Sequence, residues 1–441
     1  MAGAFLRRGI KIKGCREQLN NAKIAESKPS ALFCVSLKPG KGPQSKILVE
    51  VGDSLKQGTV IASPSGSDSG FIYSPVSGAV ANIVNKVNSF GELSTMVLIK
   101  PAKVNVALNF NTLASHSSTN LFGRLVESGS YDNWGQRLPT FHKYINPNAK
   151  NNRMLVVKLF DSDPFVFSNQ AIAQNLTEEV VKGAVCFFKV SGAMQMVFVL
   201  AKSKQADEII KKIKEVAIAL ELPENIFKFV KINNVYPYDE EHLLFKLITK
   251  HEMNPEEEVE NRGIMIENSQ SCLNFFRAVY ENKPTLSSVY TVSGDNVKKP
   301  VIVEVPNGAD ALSVLALAQI EDENRFNGFT LGGAFNGVGQ CDDSIGLQQT
   351  FSSMCSFKLN REINKEIDCI NCGSCNAVCP MKLSPVNLDN FALNKDYGRA
   401  KRYGALSCIN CGACSFVCPA RRFLAQRISD MANSIREGRT M

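Results

Sequence analysis

The apolar positions of this chain change period several times, and each change marks a different kind of element. Up to about residue 105, short strand-like runs at 46–51 and 78–84 alternate with Gly, Pro, Ser and Asp turn signals. That pattern predicts an all-β unit over 1–105. Residues 101–120 are rich in Asn, Thr and Ser and read as a linker. Beyond them 154–160 and 194–200 are strand-like, whereas 206–222 set Ile209, Ile213, Val216 and Leu220 on one helical face before Pro223. Residues 227–232 return to strand patterning. Strand, helix and strand in this order predict an α/β layer with a partly parallel sheet over 121–275. Short strands at 289–292 and 301–305 with a helix at 309–318 predict a small β-grasp module over 285–350. Residues 360–441 close with a helix whose Leu424, Ile428, Met431 and Ile435 form an apolar stripe, expected to pack on its own domain.

Within the first unit, Val51-Gly52-Asp53-Ser54-Leu55-Lys56-Gln57-Gly58 followed by Ser74-Pro75-Val76-Ser77-Gly78 is the pattern of a biotinyl/lipoyl-like β sandwich. A lipoyl carrier presents a modifiable Lys at the tip of its central hairpin. Residues 63–71 hold none, so the module is expected to be structural.

At 441 residues the chain exceeds a single ordinary core. Apolar residues make up 44% and charged residues 21%, the balance of an ordinary folded protein. The net charge of +8 is spread along the chain, which gives no nucleic-acid footprint. No apolar run approaches the ~18 residues that span a bilayer. The basic start (Arg7, Arg8, Lys11, Lys13) lacks the apolar segment of a signal peptide, so any work at a membrane is expected to be peripheral.

Cysteine usage changes the picture most. Of 14 cysteines, six are scattered (Cys15, Cys34, Cys186, Cys272, Cys341, Cys355) and read as small buried hydrophobes. The others form a repeat. Cys369-Ile-Asn-Cys372-Gly-Ser-Cys375-Asn-Ala-Val-Cys379-Pro380 recurs as Cys408-Ile-Asn-Cys411-Gly-Ala-Cys414-Ser-Phe-Val-Cys418-Pro419, with nine of twelve positions identical. Each copy is the run C-x2-C-x2-C-x3-C-P of two-cluster bacterial ferredoxins, in which the fourth Cys ligates the other cluster. Cys369, Cys372, Cys375 and Cys418 are thus expected to hold one [4Fe–4S] cluster, and Cys408, Cys411, Cys414 and Cys379 a second. The fourth Cys of each run is expected at a helix start, pointing to its neighbour's cluster. Gly373 and Gly412 let the backbone approach the sulfides. Zinc ribbons use four cysteines in two pairs rather than two quartets, and haem attachment needs a His after C-x-x-C that is absent here. Clusters move single electrons, so the chain reads as an electron-transfer subunit.

The order of modules resembles the C subunit of the Rnf complex, an ion-translocating ferredoxin:NAD oxidoreductase of bacterial membranes. The resemblance runs through Gly52-Asp53 and Ser77-Gly78, then Leu138-Pro139-Thr140-Phe141-His142-Lys143, similar to the family's F-P-T-x-x-K. It continues through Tyr236-Pro237, Thr291-Val292-Ser293-Gly294 and Gly332-Gly333 to the cluster repeat. It implies a multidomain α/β protein: a barrel sandwich, a central domain like the complex I flavoprotein subunit, a β-grasp module and a helical two-cluster ferredoxin domain. It also implies FMN and NADH in the central domain, with Gly129, Gly135, Lys143, Asp161 and Asp163 at the family's cofactor positions. Implied partners are integral-membrane subunits of an Rnf-like complex and a protein donor such as ferredoxin or flavodoxin, at the cytoplasmic face of the bacterial inner membrane.

The cofactor loops depart from that pattern. The family's G-x-G-G-A-G-F-P-T is Gly129-Ser130-Tyr131-Asp132-Asn133-Trp134-Gly135-Gln136-Arg137-Leu138-Pro139-Thr140 here. Bulky residues and Asp132 stand where backbone N–H groups would approach a phosphate. The acidic loop is shortened to Lys158-Leu159-Phe160-Asp161-Ser162-Asp163-Pro164, and Tyr238-Asp239-Glu240-Glu241-His242 replaces the glycines after Tyr236-Pro237. Electrons are therefore expected to enter from a protein rather than from NADH. Other assignments compatible with the sequence are a soluble flavin/iron–sulfur reductase of the same module order (cobalamin-reductase-like) and a scaffold whose clusters alone are active. A sodium-pumping quinone reductase A subunit shares the front modules but should lack the repeat. Trp134 reads as a core or interface anchor, and His116, His142, His242 and His251 show no ligand spacing. Pro255 breaks an H-E-x-x-H motif at His251-Glu252. Asp161 and Asp163 before Pro164 suit a turn, and the basic run Arg421-Arg422 near Cys418 suits either docking of a donor or a solvated helix start.

Overall fold

The computed structural model describes residues 8–27, 30–145, 153–320, 328–340, 342, 345–358 and 365–439. Cys341 lies outside the described residues. Two small antiparallel sheets form the first module. One orders Phe33–Ser36, Leu93–Pro101, Gly78–Val87 and Ser54–Leu55; the other orders Lys46–Ile47, Val60–Ser63 and Ile72–Tyr73. Ile61, Val97 and Ile99 are fully buried between them. The strand expected over 46–51 stops at Ile47. Beyond it the Asp53 carboxylate takes the Glu50 N–H at 2.8 Å and folds the chain into a turn. The following hairpin is closed by Asn88, whose side-chain oxygen accepts from the N–H of Phe90 (2.9 Å) and of Glu92 (3.0 Å).

The central sheet orders Phe227–Ile232, Gln195–Ala201, Met154–Lys158 and Ile264–Asn268, and all its pairings are parallel. The sequence pattern predicted only partial parallelism because Ile264–Asn268, which supplies the edge beside Met154–Lys158, was not anticipated. Leu155, Val156 and Val157 are fully buried, as befits a parallel strand covered on both faces. One cover is Thr177–Ser191 and Ser269–Tyr280, whose Phe187 and Phe275 rings lie 4.6 Å apart. Across the sheet Glu241–Thr249 lays Leu244 and Phe245 on the strands. The expected amphipathic helix is Lys204–Ala219. It is capped by Ser203, whose hydroxyl accepts the Ala206 N–H, and it buries Ile209 and Ile213.

The third sheet is assembled from distant segments. Its order is Ile24–Glu26, Val301–Pro306, Ser287–Ser293, Ser353–Cys355, Phe329–Leu331 and Val338–Gln340. Ile24–Glu26 pairs parallel with Ile302, Val303 and Glu304, so the β-grasp borrows a strand from the first 30 residues. Its core is continuous with that of the sandwich through Val35, Leu37, Tyr290, Val303 and Phe351. The helix expected at 309–318 is Ala311–Leu315 plus a 3-10 turn, Ala316–Ala318.

The last module is helical. Leu424–Arg436 buries Leu424, Ile428 and Met431 against Leu388, Ala400 and Ala405, so its stripe packs on its own domain as the periodicity predicts. The segment 8–26 ties this module to the rest. Gly9 N–H meets the Val378 carbonyl at 2.9 Å, Ile10 bridges Tyr236, and Cys15 N–H meets the Pro164 carbonyl at 3.1 Å. No helix among the described residues is long and apolar enough to cross a membrane.

Candidate metal centres and the adjoining cleft

The two halves of the cysteine repeat fold alike. Asn371 and Asn410 take φ of 55° and 50°, Gly373 and Gly412 φ of 74° and 75°, and each glycine opens a short helix (Ser374–Val378, Ala413–Phe416). Left-handed residues at these two places curl the loop so that its first three cysteines face one side. The fourth cysteines sit at helix ends rather than starts. Cys379 is the C-cap of its helix with ψ of 113°, because the following Pro380 forces extended backbone on it. Cys418 lies one residue beyond the C-cap Val417.

This turn sends each fourth cysteine to the other half. One cavity is lined by Cys369, Cys372, Cys375 and Cys418. A neighbouring cavity is lined by Cys379, Cys408, Cys411 and Cys414. Among the described residues, no three His, Cys, Asp or Glu side chains are placed to hold a single metal ion. Sulfurs around one tetrahedral Zn2+ stand only about 3.8 Å apart, whereas the corners of a cubane are spread wider. The donor set fits an iron–sulfur cluster in each cavity.

The two cavities differ in setting. Cys372 is exposed and Cys369 half-buried, and Ile370 (61% exposed) and Phe423 (52%) border that side. The Ser374 hydroxyl draws the Cys372 thiol below its ordinary value. The second quartet is packed inward, where burial pushes the Cys411 and Cys414 thiols up to about 12. The Cys411 loop is fixed to the body of the protein. Tyr236 Oη–H donates to the Cys411 carbonyl at 2.8 Å, and the Tyr236 ring stacks on Phe335 at 4.6 Å, which meets Phe416 at 5.3 Å.

Cys411, Asn410 and Ile409 also close one end of a cleft of about 470 Å3. Its other walls come from every body module: Lys41 of the sandwich, residues 133–137, 158–169 and 236–241 of the central domain, and Gly332 and Asn336. Of the residues expected at a cofactor, Gly135, Asp161 and Asp163 line it. Gly129 and Lys143 do not. Gly129 faces the sandwich, where an added Cβ would lie 2.7 Å from the Phe71 carbonyl. Lys143 is half-buried between Asp132 (3.1 Å) and Glu267 (2.8 Å). Burial pulls its pKa down, but those two carboxylates more than offset this and hold it above its ordinary value.

The cleft acids are engaged by the protein itself. Asp161 accepts from Asn169 N–H and Nδ2 at 2.9 and 2.7 Å. Asp163 accepts from the N–H of Phe165 and of Ala334, while burial pushes its carboxyl up to about 6. Arg16 Nη2 gathers the carbonyls of Asp161, Ser162 and Asp163 at 2.6–2.9 Å. Lys158 pairs with Asp239 at 3.3 Å and lies 4.4 Å over the Trp134 ring. Glu240 caps the helix Glu241–Thr249 by accepting the Leu243 N–H, and meets His242 Nδ1 at 2.9 Å. Glu241 presses on Gly135: a Cβ there would lie 2.1 Å from Glu241 Oε1. Burial, reinforced by Glu260 and Glu240, pushes the Glu241 carboxyl up to about 8, so it is neutral near pH 7. A phosphate seated on this loop's backbone would meet that side chain. The residues present do not reproduce the family's phosphate cradle.

Three family models match along the chain: the RnfC barrel sandwich hybrid domain over 4–103, the Nuo51 FMN-binding domain over 127–277, and a 4Fe-4S dicluster domain over 361–419. Curated relatives from ion-translocating complexes match across most of the chain. The C subunit of the ion-translocating oxidoreductase complex of Pseudomonas aeruginosa is 24% identical over 88% of this chain and 50% of its own length. The chain is similar to these C subunits over most of its length. The C subunit of the Na(+)-translocating ferredoxin:NAD(+) oxidoreductase complex of Acetobacterium woodii is 24% identical over 86% of each chain. The chain thus spans about half the length of the Pseudomonas relative and most of the Acetobacterium one. An H2-reduced NAD+-reducing [NiFe]-hydrogenase is similar in fold, with a TM-score of 0.51 and 13% identity over 74% of this chain and 67% of that one. The matching 4Fe-4S dicluster domain, with relatives named as subunits of ferredoxin:NAD(+) oxidoreductase complexes, supports an electron-transport iron–sulfur subunit. Sequence reasoning missed Arg16, Lys41 and the closeness of Asp239 to Lys158. These residues meet only through the tertiary fold, and no local motif signals them.

Proposed function

We propose that this chain is the peripheral iron–sulfur subunit of an Rnf-type membrane complex, at the cytoplasmic face of the membrane. It relays electrons from a protein donor such as a ferredoxin or flavodoxin to integral-membrane partners that couple the flow to ion translocation. Cys369, Cys372, Cys375 and Cys418 would hold one [4Fe–4S] cluster, and Cys379, Cys408, Cys411 and Cys414 the other. When bound, the clusters supply one-electron chemistry. The residues around them do the rest. Reciprocal exchange of Cys379 and Cys418 keeps the two centres side by side. Tyr236 and Phe335 fix the inner loop against the body, and the exposed edge at Cys372 gives an external redox partner close approach. The observation that carries the reading is the lining of two neighbouring cavities by exchanged cysteine quartets, one reaching the cleft and the other reaching solvent. The engaged acids and the Glu241 contact with Gly135 favour a protein donor over NADH.

Iron and sulfide analysis of anaerobically purified protein tests the cluster assignment, with about eight of each expected per chain. Zinc in their place overturns it. Adding NADH to the same material should leave the visible absorption unchanged; rapid bleaching refutes the choice of donor.

A further inference from the structure

The helices Pro385–Leu393 and Tyr397–Arg402 meet at a corner of the cluster module that faces solvent. The cysteine cavities take Pro385, Val386 and Leu388 from the first helix, and its last residue, Leu393, lies about 7.5 Å further along the axis than Leu388. Leu393 is 54% exposed and Tyr403 52%. The Tyr403 ring is held edge-on to Phe391 at 5.0 Å, and the Arg399 guanidinium lies 6.0 Å over that same Phe391 ring. Between Pro385 and Gly404 stand four cations, Lys395, Arg399, Lys401 and Arg402, and two acids, Asp389 and Asp396. Both acids are taken. Asp389 is buried under Arg422 and Arg427, while Asp396 caps the second helix at the Arg399 N–H and pairs with Arg399 Nε at 2.8 Å. Lys395, Lys401 and Arg402 are left exposed, and none of them forms an ion pair among the described residues. Arg436 adds an exposed cation just past the second helix, where its Nη2 donates to the Leu406 carbonyl at 3.4 Å. Cations in a last turn complement the helix dipole. Lys395 precedes the helix, however, and the dipole does not account for the bare Leu393 and Tyr403.

Resting on the peripheral-subunit reading above, we propose that this corner docks on an anionic bilayer, with Lys395, Lys401 and Arg402 among the phospholipid headgroups. Leu393 and Tyr403 sit at the boundary between headgroups and acyl chains. Phosphates of the bilayer surface attract clustered Lys and Arg, and a Tyr ring suits the interface because one end is apolar and the other wet. Protein interfaces are depleted in Lys, which disfavours an acidic protein as the occupant. The cavity that opens at Cys372 is lined by no residue between Leu393 and Tyr403, so a membrane seated on the corner leaves that edge to a redox partner.

The test is co-sedimentation of anaerobic holoprotein, of verified iron content, with vesicles of phosphatidylcholine alone and of equal parts phosphatidylcholine and phosphatidylglycerol. Binding to the mixed vesicles only is expected, weakening as salt shortens the Debye length. Each cation near an anionic surface strengthens binding roughly fivefold. Lys395→Gln, Lys401→Gln and Arg402→Gln combined should therefore lower the partition coefficient roughly a hundredfold. Tyr403→Ser should lower it severalfold and leave its salt dependence unchanged. Lys46→Gln, Lys56→Gln and Lys103→Gln combined remove the same charge from exposed positions on the sandwich and should stay within about threefold of wild type. Equal loss in the two triple variants, equal binding to neutral vesicles, or no vesicle binding by protein with full iron overturns the proposal. Retention of an acidic carrier protein by the same three cations, with vesicles left unbound, gives the corner to a protein and overturns it too. Iron content reports separately on the cluster reading: protein without iron that binds anionic vesicles through these side chains loses that reading and keeps this one.

Discussion

Asp389 offers a direct measure of what holds the cluster domain shut. Its carboxylate is 1% exposed on the helix Pro385–Leu393 and accepts from Arg422 Nε (2.8 Å), Arg422 Nη2 (2.5 Å) and Arg427 Nη1 (2.7 Å). Arg422 lines the outer cysteine cavity, four residues after Cys418. In Asp389→Ala the helix Leu424–Arg436 would lose its ionic link to Pro385–Leu393, and Arg422 (8% exposed) would be left desolvated. Breaking a buried pair from one side costs about 3–5 kcal/mol. Glu366 still reaches both arginines, which places the loss near 3 kcal/mol, roughly a hundredfold in the domain's opening equilibrium. The assay is iron capture by an excess of chelator under native anaerobic conditions, followed by loss of visible absorption. This avoids the two-state assumption, which a multidomain chain does not meet. Release about a hundredfold faster than wild type is expected when opening is in rapid equilibrium. Release within about threefold of wild type would refute the claim that this carboxylate clamps the domain.

Further outcomes are expected elsewhere. Cys379→Ser should disturb the same spectroscopic centre as Cys411→Ser, and Cys418→Ser the same one as Cys372→Ser. Pairing by sequence neighbour in electron paramagnetic resonance would overturn the exchanged quartets. Folding raises the Glu241 carboxyl to about 8 and Glu267 to about 7, so the native chain holds more protons than the unfolded one. The stabilising contribution is complete below the ordinary carboxyl range, about 4, and is lost as pH rises through these values. Glu241→Gln should therefore lose less of its melting temperature than wild type between about pH 6 and about pH 9; an unchanged slope argues against the buried acid. Phe275→Ala, at a fully buried ring tilted against Phe187, should cost about 3–5 kcal/mol in the central domain without altering iron content.

The two cysteine-lined cavities were legible because their geometry is local: the cysteine spacing fixes the loop, and Pro380 and Pro419 redirect the last thiol. The apolar stripe of Leu424–Arg436 was legible for the same reason, since four-residue spacing suffices to define a face. Ile264–Asn268 was not, because its Glu267 and Asn268 are buried by Lys143 and Asn133 rather than by apolar neighbours. Polar burial leaves no periodic trace. The cleft was the least visible element. Lys41, Arg137, Lys158, Asp239 and Asn410 meet only when the modules have packed, and the left-handed backbone of Arg137 is hidden from any pattern of residue types.

The segment 8–26 has a consequence for biosynthesis. It leaves the ribosome early, yet its partners at Pro164, Tyr236, Ile302 and Val378 follow over the next several hundred residues. At roughly 5–20 residues per second, the wait before Gly9 can reach Val378 is on the order of 20–70 s. For that time Ile10 and Ile24 await their docking sites, and a nascent-chain chaperone has a natural client there. Closure of this strap beside Cys411 therefore waits until Val378 has emerged.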